Sequence, residues 1–255
     1  MTITFDPLPC PASPLRRLDP RWKLAALLLC TALVAAVRTL APAGLALLGA
    51  LVLAAVARLP WRWYLGRVAA VGLFVALFTV PLPFLLDGPG PVWQVGPVAV
   101  SWHGLSVALF VAGKALTVLT LMLVLLASAP LEDTLKAAHA LRVPGLLVQL
   151  AVLTYRYVFV LAGELARLRV ALRVRGYRNR ANRHSYRTIG HVAGALLVRG
   201  YERAERVGQA MRCRGFTGRF HSLAEFRTTA TDVAAFALVV GCAGALLAWD
   251  VLRRV

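Results

Sequence analysis

Three observations predict an all-α integral membrane protein, a helix bundle of about five spans with long cytoplasmic helices inserted before the last span. The 255 residues are 59% hydrophobic with a mean hydropathy of +0.70, whereas soluble domains run nearer about 45–50% apolar. The excess falls in blocks, so it marks membrane segments rather than one large core. The positive charge is also uneven. Residues 130–230 hold 18 Lys and Arg against 6 Asp and Glu, within a formal net charge of +18. By the positive-inside rule that stretch faces the cytoplasm.

The elements follow in order. Residues 1–23 are polar and rich in proline, with no apolar core long enough for a signal peptide. Arg16, Arg17, Arg21 and Lys23 place this end in the cytoplasm. A four-span region is expected over 24–129. Its first two spans, 24–37 and 43–57, are short and joined by "RTLAP", where Pro42 would break a single long helix. "RLPWRWYLGR" (58–67) reads as an interfacial belt, and 68–86 as a third span disturbed by Pro81 and Pro83. Residues 87–104 carry no Lys or Arg and read as an external loop with a short hairpin around "VAVSW". The fourth span is 105–129.

A cytoplasmic and interfacial module is expected over 130–229. "LEDTLKAAHALRVPG" is a short helix closed by Pro144-Gly145. Residues 146–176 form one helical run, about 45 Å long if unbroken. Arg156 and Glu164 interrupt its apolar half. It reads as a helix that starts in or against the bilayer and ends in the cytoplasm; a true crossing at 146–163 would raise the count to six. Residues 186–215 form an amphipathic helix with Glu202 and Arg206 as a favourable i,i+4 pair. The last segment, 230–255, supplies the final span over 230–252.

Several chemistries have no signature here. No G-x-x-x-x-G-K-[ST], H-E-x-x-H or G-x-S-x-G occurs, so no P-loop, zinc-protease or hydrolase motif is present. Four scattered cysteines and five separated histidines suggest neither a disulfide framework nor a metal site. No cofactor is expected. The basic stretch has few aromatics away from its apolar helices and is flanked by spans, so nucleic acid is not an expected partner. Lys114 is the clear charge deep inside a span. It reads as a transport-path residue or, more simply, as a helix or subunit contact.

One phrase is written three times: "ALRVRGY" (171–177), "ALLVRGY" (195–201) and "AMRCRGF" (210–216). In the first and last, Gly176 and Gly215 follow an arginine at the end of a helical run, where glycine is the expected left-handed stop. Arginine in the last turn also suits the helix dipole. Arg175 and Arg214 then sit at exposed helix ends, free to reach a partner with a planar fork of donors. The middle copy lies within a helix, so Arg199 faces sideways.

These residues carry a resemblance. "LTYRYVFVL", "YERAERVGQAMRCRGFTGRF" and the opening "LDPRWKLAALLL" resemble the T component of energy-coupling-factor (ECF) transporters, within them the cobalt-transporter CbiQ family. The likeness covers nearly the whole chain and is most specific over 140–220. It implies a non-catalytic membrane subunit of a cobalt or nickel importer, in the bacterial cytoplasmic (inner) membrane. Its long coupling helices would dock on a pair of ABC-type ATPase subunits and move a small multispanning substrate-binding subunit. Carried over by position, the two arginine-centred signatures are Val174-Arg175-Gly176 and Cys213-Arg214-Gly215. Ala171 and Ala210, four residues before each arginine, belong to the same coupling phrases. Arg156, Glu164, Glu202 and Arg206 are supporting candidates. A T component serving a vitamin importer is the alternative within the class, and a basic membrane-embedded enzyme the alternative outside it.

Overall fold

A computed structural model describes residues 13, 15, 18–85, 92–95, 98–216 and 228–253. Nearly all of them are helical. The elements are α1 (Pro20–Ala36), α2 (Leu40–Val56), α3 (Trp61–Thr79), α4 (Leu82–Leu85), β1 (Val92–Val95), β2 (Val98–Ser101), α5 (Trp102–Ser128), α6 (Leu131–Ala140), α7 (Gly145–Val174), α8 (Arg183–Cys213) and α9 (Ala230–Leu252). The two strands form the expected hairpin, antiparallel with Val95 opposite Val98. Arg16, Arg17, Cys10 and His221, and the connector over 217–227, lie outside the described residues.

The chain divides into two compact units, one comprising Arg142–Ala224 with the first seven residues, the other Leu8–Leu141 with Glu225–Val255. In the second unit, α1 begins where proline can: Asp19 is the N-cap, its side chain accepting from the Arg21 amide, and Pro20 follows at the first helical position. The Asp19 amide donates to Asp232 Oδ1 at 3.0 Å. Asp232 also closes a capping box with Thr229 at the start of α9. At the far ends of the same two helices, Asp250 of α9 accepts from the Arg38 and Thr39 amides at 3.1 and 3.0 Å, and from the Thr39 hydroxyl. So α1 and α9 run parallel, joined by an aspartate at each end.

Helix α5 runs the other way. Lys23 Nζ donates to the Ser128 carbonyl at the end of α5 (3.0 Å), and Lys114 Nζ to the Val37 carbonyl at the end of α1 (3.0 Å). Ala46, Ala50 and Ala54 form a buried stripe at four-residue spacing on α2. It shares one core with Leu121, Val124 and Leu125 of α5. Small residues allow this close backbone approach. Tyr64 of α3 meets Thr120 of α5 at 3.0 Å. Gly104 is required where α5 passes α4, since a Cβ there would stand 2.7 Å from Pro83 Cα.

Two boundaries differ from the sequence reading. The α1–α2 break falls at Val37–Thr39, and Pro42 sits inside the first turn of α2. A first-turn residue has no intrahelical N–H partner to lose, so proline is tolerated there; Asp250 and Thr39 make the break instead. Helix α3 begins at Trp61, so the aromatic belt forms its first turns and the helix starts seven residues before the expected span at 68. Lys23 is buried, 6% exposed, and caps α5, so it is not a surface charge that reports orientation.

Among the described residues, four helical segments are long and apolar enough to cross a membrane: Trp61–Phe84, Trp102–Ser128, Gly145–Val174 and Ala230–Leu252. Helices α1 and α2 have 17 residues each. The outward face of α3 carries exposed Leu73, Phe74, Leu77 and Phe78, a surface suited to lipid rather than water. The protein is a multi-pass membrane helix bundle.

Candidate functional site

The other unit holds α7 and α8 and both arginine-centred phrases. Helix α7 ends in a complete Schellman motif. The Gly176 amide donates to the Arg173 carbonyl and the Tyr177 amide to the Leu172 carbonyl, both at 3.0 Å. Helix α8 ends the same way, Gly215 to Arg212 at 3.0 Å and Phe216 to Met211 at 3.1 Å. Gly176 and Gly215 have φ of +78° and +75°, the left-handed region that glycine enters without steric cost. The repeated phrase therefore writes the same local structure twice. Each alanine is the residue whose carbonyl takes the arginine's amide (Arg175 to Ala171 and Arg214 to Ala210, both 3.2 Å).

Arg175 and Arg214 are exposed, and neither guanidinium makes an ion pair or hydrogen bond among the described residues. Beside Arg214, Arg212 Nε turns back to the Gly208 carbonyl at 3.4 Å. Ala171 and Ala210 are exposed one turn earlier on the same faces, which leaves a partner room to approach each arginine. The two ends are far apart. Tyr177 donates its hydroxyl to the Ser185 carbonyl at 3.5 Å, so the end of α7 lies beside the start of α8. From Ser185 to Arg214 is about 40 Å of helix at ~1.5 Å per residue.

The middle copy has a different use. Gly200 has no positive φ and lies within α8, facing Leu161 of α7. Arg199 Nη1 lies 4.0 Å from Glu164 Oε2, and Arg203 Nη2 bonds Glu164 Oε1 at 2.5 Å. Glu164 is 7% exposed. Arg203 is the residue that sequence reading missed. The signal was there in part: a lone acid in an apolar run must find a cation, but a chain with this many arginines does not say which. The Glu202–Arg206 pair forms as expected at 3.8 Å, fully on the surface. Arg156 is exposed, and the structure brings it to no other site residue. No group of three or more His, Cys, Asp or Glu able to hold a metal occurs among the described residues.

One unit is a multi-pass membrane helix bundle, and the other is a basic helix pair whose ends carry arginines with no partner among the described residues. The comparisons make the class specific. The family described as "Cobalt transport protein", CbiQ, matches residues 11–223. The chain belongs to that family. It is 33% identical to the cobalt transport protein CbiQ of Rhodobacter capsulatus over 182 residues, 70% of this chain and 71% of that one. It is 29% identical to the nickel permease LarQ of Lactiplantibacillus plantarum over 222 residues, 84% and 72% of the two chains. To the cobalt transport protein CbiQ of Salmonella typhimurium it is 27% identical over 171 residues, 63% and 73%.

Proposed function

We propose that this chain is the transmembrane coupling subunit of an ECF-type importer of cobalt or nickel ions, and that it is not itself catalytic. Hydrolysis of ATP belongs to a pair of partner ATPases, and ion binding to a separate small membrane subunit. The observation that carries this reading is the pair of matched helix ends: two Schellman caps, each projecting one unengaged arginine, about 40 Å apart along α8. Two such ends suit two similar sockets better than one site. Arginine fits a socket lined by carboxylates or carbonyls, because its planar fork makes several bonds at once. The cobalt and nickel names of the relatives support the cargo class. The apolar half of α7 reaches the membrane, its charged half the cytoplasm, with the N-terminus of the chain on the same side.

In this mechanism closure of the ATPase dimer moves the two sockets, and α7 and α8 carry that motion as levers to the substrate-binding subunit. The test is alanine at both Arg175 and Arg214 in the chain co-expressed with its ATPase and substrate-binding partners. The double variant is expected to lose ATPase recovery in a detergent pull-down and to abolish cobalt or nickel uptake. Arg199→Ala is expected to keep ATPase recovery. Normal uptake by the double variant sinks the docking reading, and equal loss of recovery at Arg199 shows that the wrong copies were chosen.

A further inference from the structure

Helices α7 and α8 meet where Leu161 faces Gly200: a Cβ on that glycine would stand 4.0 Å from Leu161 Cδ2. This meeting point lies at equal distance from the two arginine ends. Arg175 is 14 residues beyond Leu161, and Arg214 is 14 residues beyond Gly200, about 20 Å of helix in each case. The charged contact brackets this spot: Glu164, three residues past Leu161, reaches toward Arg199 and Arg203, which flank Gly200 on α8.

Glu164 is only half answered there. Its Oε1 holds Arg203, while Oε2 is buried with no hydrogen-bond partner among the described residues. A buried carboxylate oxygen left without a donor is a destabilising feature that a small movement can relieve. The donor is at hand: Arg199, one turn from Arg203 on the same face of α8, has Nη1 4.0 Å from that oxygen. It makes no other ion pair among the described residues. An approach of about 1 Å would complete a charge-assisted bond. Gly200 stands between the two arginines and offers no side chain to resist a tilt.

We propose that Glu164 is a two-position clip at the pivot of the two helices. It holds α8 through Arg203 in the arrangement described, and through Arg199 when the helices tilt. The proposal rests on reading α7 and α8 as levers: a clip midway between equal arms lets displacement at one arginine end reappear at the other. Glu164 is thus a positioning residue, and Arg199 acts in the movement rather than in docking.

Two measurements separate this from the docking reading. The first uses the full chain alone, in lipid nanodiscs, with Cys10, Cys30, Cys213 and Cys242 replaced and spin labels on cysteines placed at Thr154 and Gln209. Both positions are exposed, on arms that leave the pivot on the same side. Wild type is expected to give two interspin distances by pulsed electron resonance, and Arg199→Gln and Arg203→Gln one each. A single distance in wild type, unchanged in Arg199→Gln, overturns the clip whatever the ATPases do. The second is ion uptake in the co-expressed system. Arg199→Gln is expected to recover the ATPases normally and lower uptake severalfold. Wild-type uptake by that variant overturns the clip and leaves docking through Arg175 and Arg214 untouched. Failure of the wild-type chain to recover any ATPase sinks the docking reading, while the spin-label distances still decide the clip.

Discussion

Lys114 offers the sharpest separation of structure from transport. Its ammonium, deep in α5, donates to the Val37 carbonyl at the end of α1 (3.0 Å) and lies 5.4 Å from the centre of the Phe110 ring. A cation at a helix C-terminus is favoured by the dipole, by about 0.3–1 kcal/mol. Lys114→Met keeps the length and apolar stem while removing that donor from a carbonyl on a residue that is 1% exposed. Leaving a buried acceptor unmade costs about 1–3 kcal/mol, so the whole change is about 2 kcal/mol. Asp250→Ala is the matched perturbation at the start of α2. It removes the acceptor for two amides and a hydroxyl, each bond to a charged group being worth about 1.5–3 kcal/mol. The loss, about 5 kcal/mol, approaches the whole stability of many proteins. Thermal unfolding of the detergent-purified chain should therefore show Lys114→Met folded with a lowered midpoint. Asp250→Ala should fail to accumulate. Uptake per folded Lys114→Met molecule is expected to stay near wild type. A variant that melts like wild type and yet transports nothing would refute the argument and return Lys114 to the ion path.

The remaining predictions concern helix ends. Gly176→Ala and Gly215→Ala force a side chain into the left-handed region and should each destabilise the chain by about 1–2 kcal/mol, read as earlier proteolysis of the α7–α8 unit. Gly200→Ala, within α8 where a Cβ finds ordinary contact distance, should instead stabilise by about 0.5–1 kcal/mol on the same assay. Arg58 and Arg142 hold φ of +51° and +69° just past the ends of α2 and α6. Arg58→Gly and Arg142→Gly should therefore raise the thermal midpoint, each by about 1 kcal/mol of stability. An unchanged midpoint in both variants would show that no strain is held at those ends.

The sequence was most legible where structure is local. Apolar length gave α9 at its observed bounds, 230–252, and periodicity gave α7 and α8 to within three residues at either end. The glycine stops were readable because a left-handed cap needs only its own neighbours. The α1–α2 break was legible as two short spans, but its cause was not: it is made by Asp250, more than 200 residues away, rather than by Pro42. Lys23 misled for the same reason: its carbonyl partner on Ser128 is 105 residues distant, and nothing near Lys23 distinguishes a buried cap from a surface charge. At the candidate site, position within the helix separated Arg175 and Arg214 from Arg199, but the partner of Arg199 waited on the packing of α7 against α8. Docking on ATPases was never in the pattern itself; it came with the family resemblance.

What sets Arg175 and Arg214 apart is clearest from how the chain spends its few acids. It has 11 Asp and Glu against 29 Lys and Arg. Asp19, Asp232 and Asp250 hold helix starts in the bundle, and Glu164 joins α7 to α8. Glu202 and Asp133 pair within their own helices. Buried charge in this protein is thus answered from within, by a backbone group or an opposite charge, while the exposed arginines at the ends of α7 and α8 are not. A random excess of arginine would place some on flexible side positions with no fixed direction. These two stand on rigid caps, four residues past an exposed alanine, with the adjacent Arg212 tied back to its own helix. An exposed arginine on a fixed backbone cap, with no acid paired to it among the described residues, is what the proposed docking on oxygens of another protein requires.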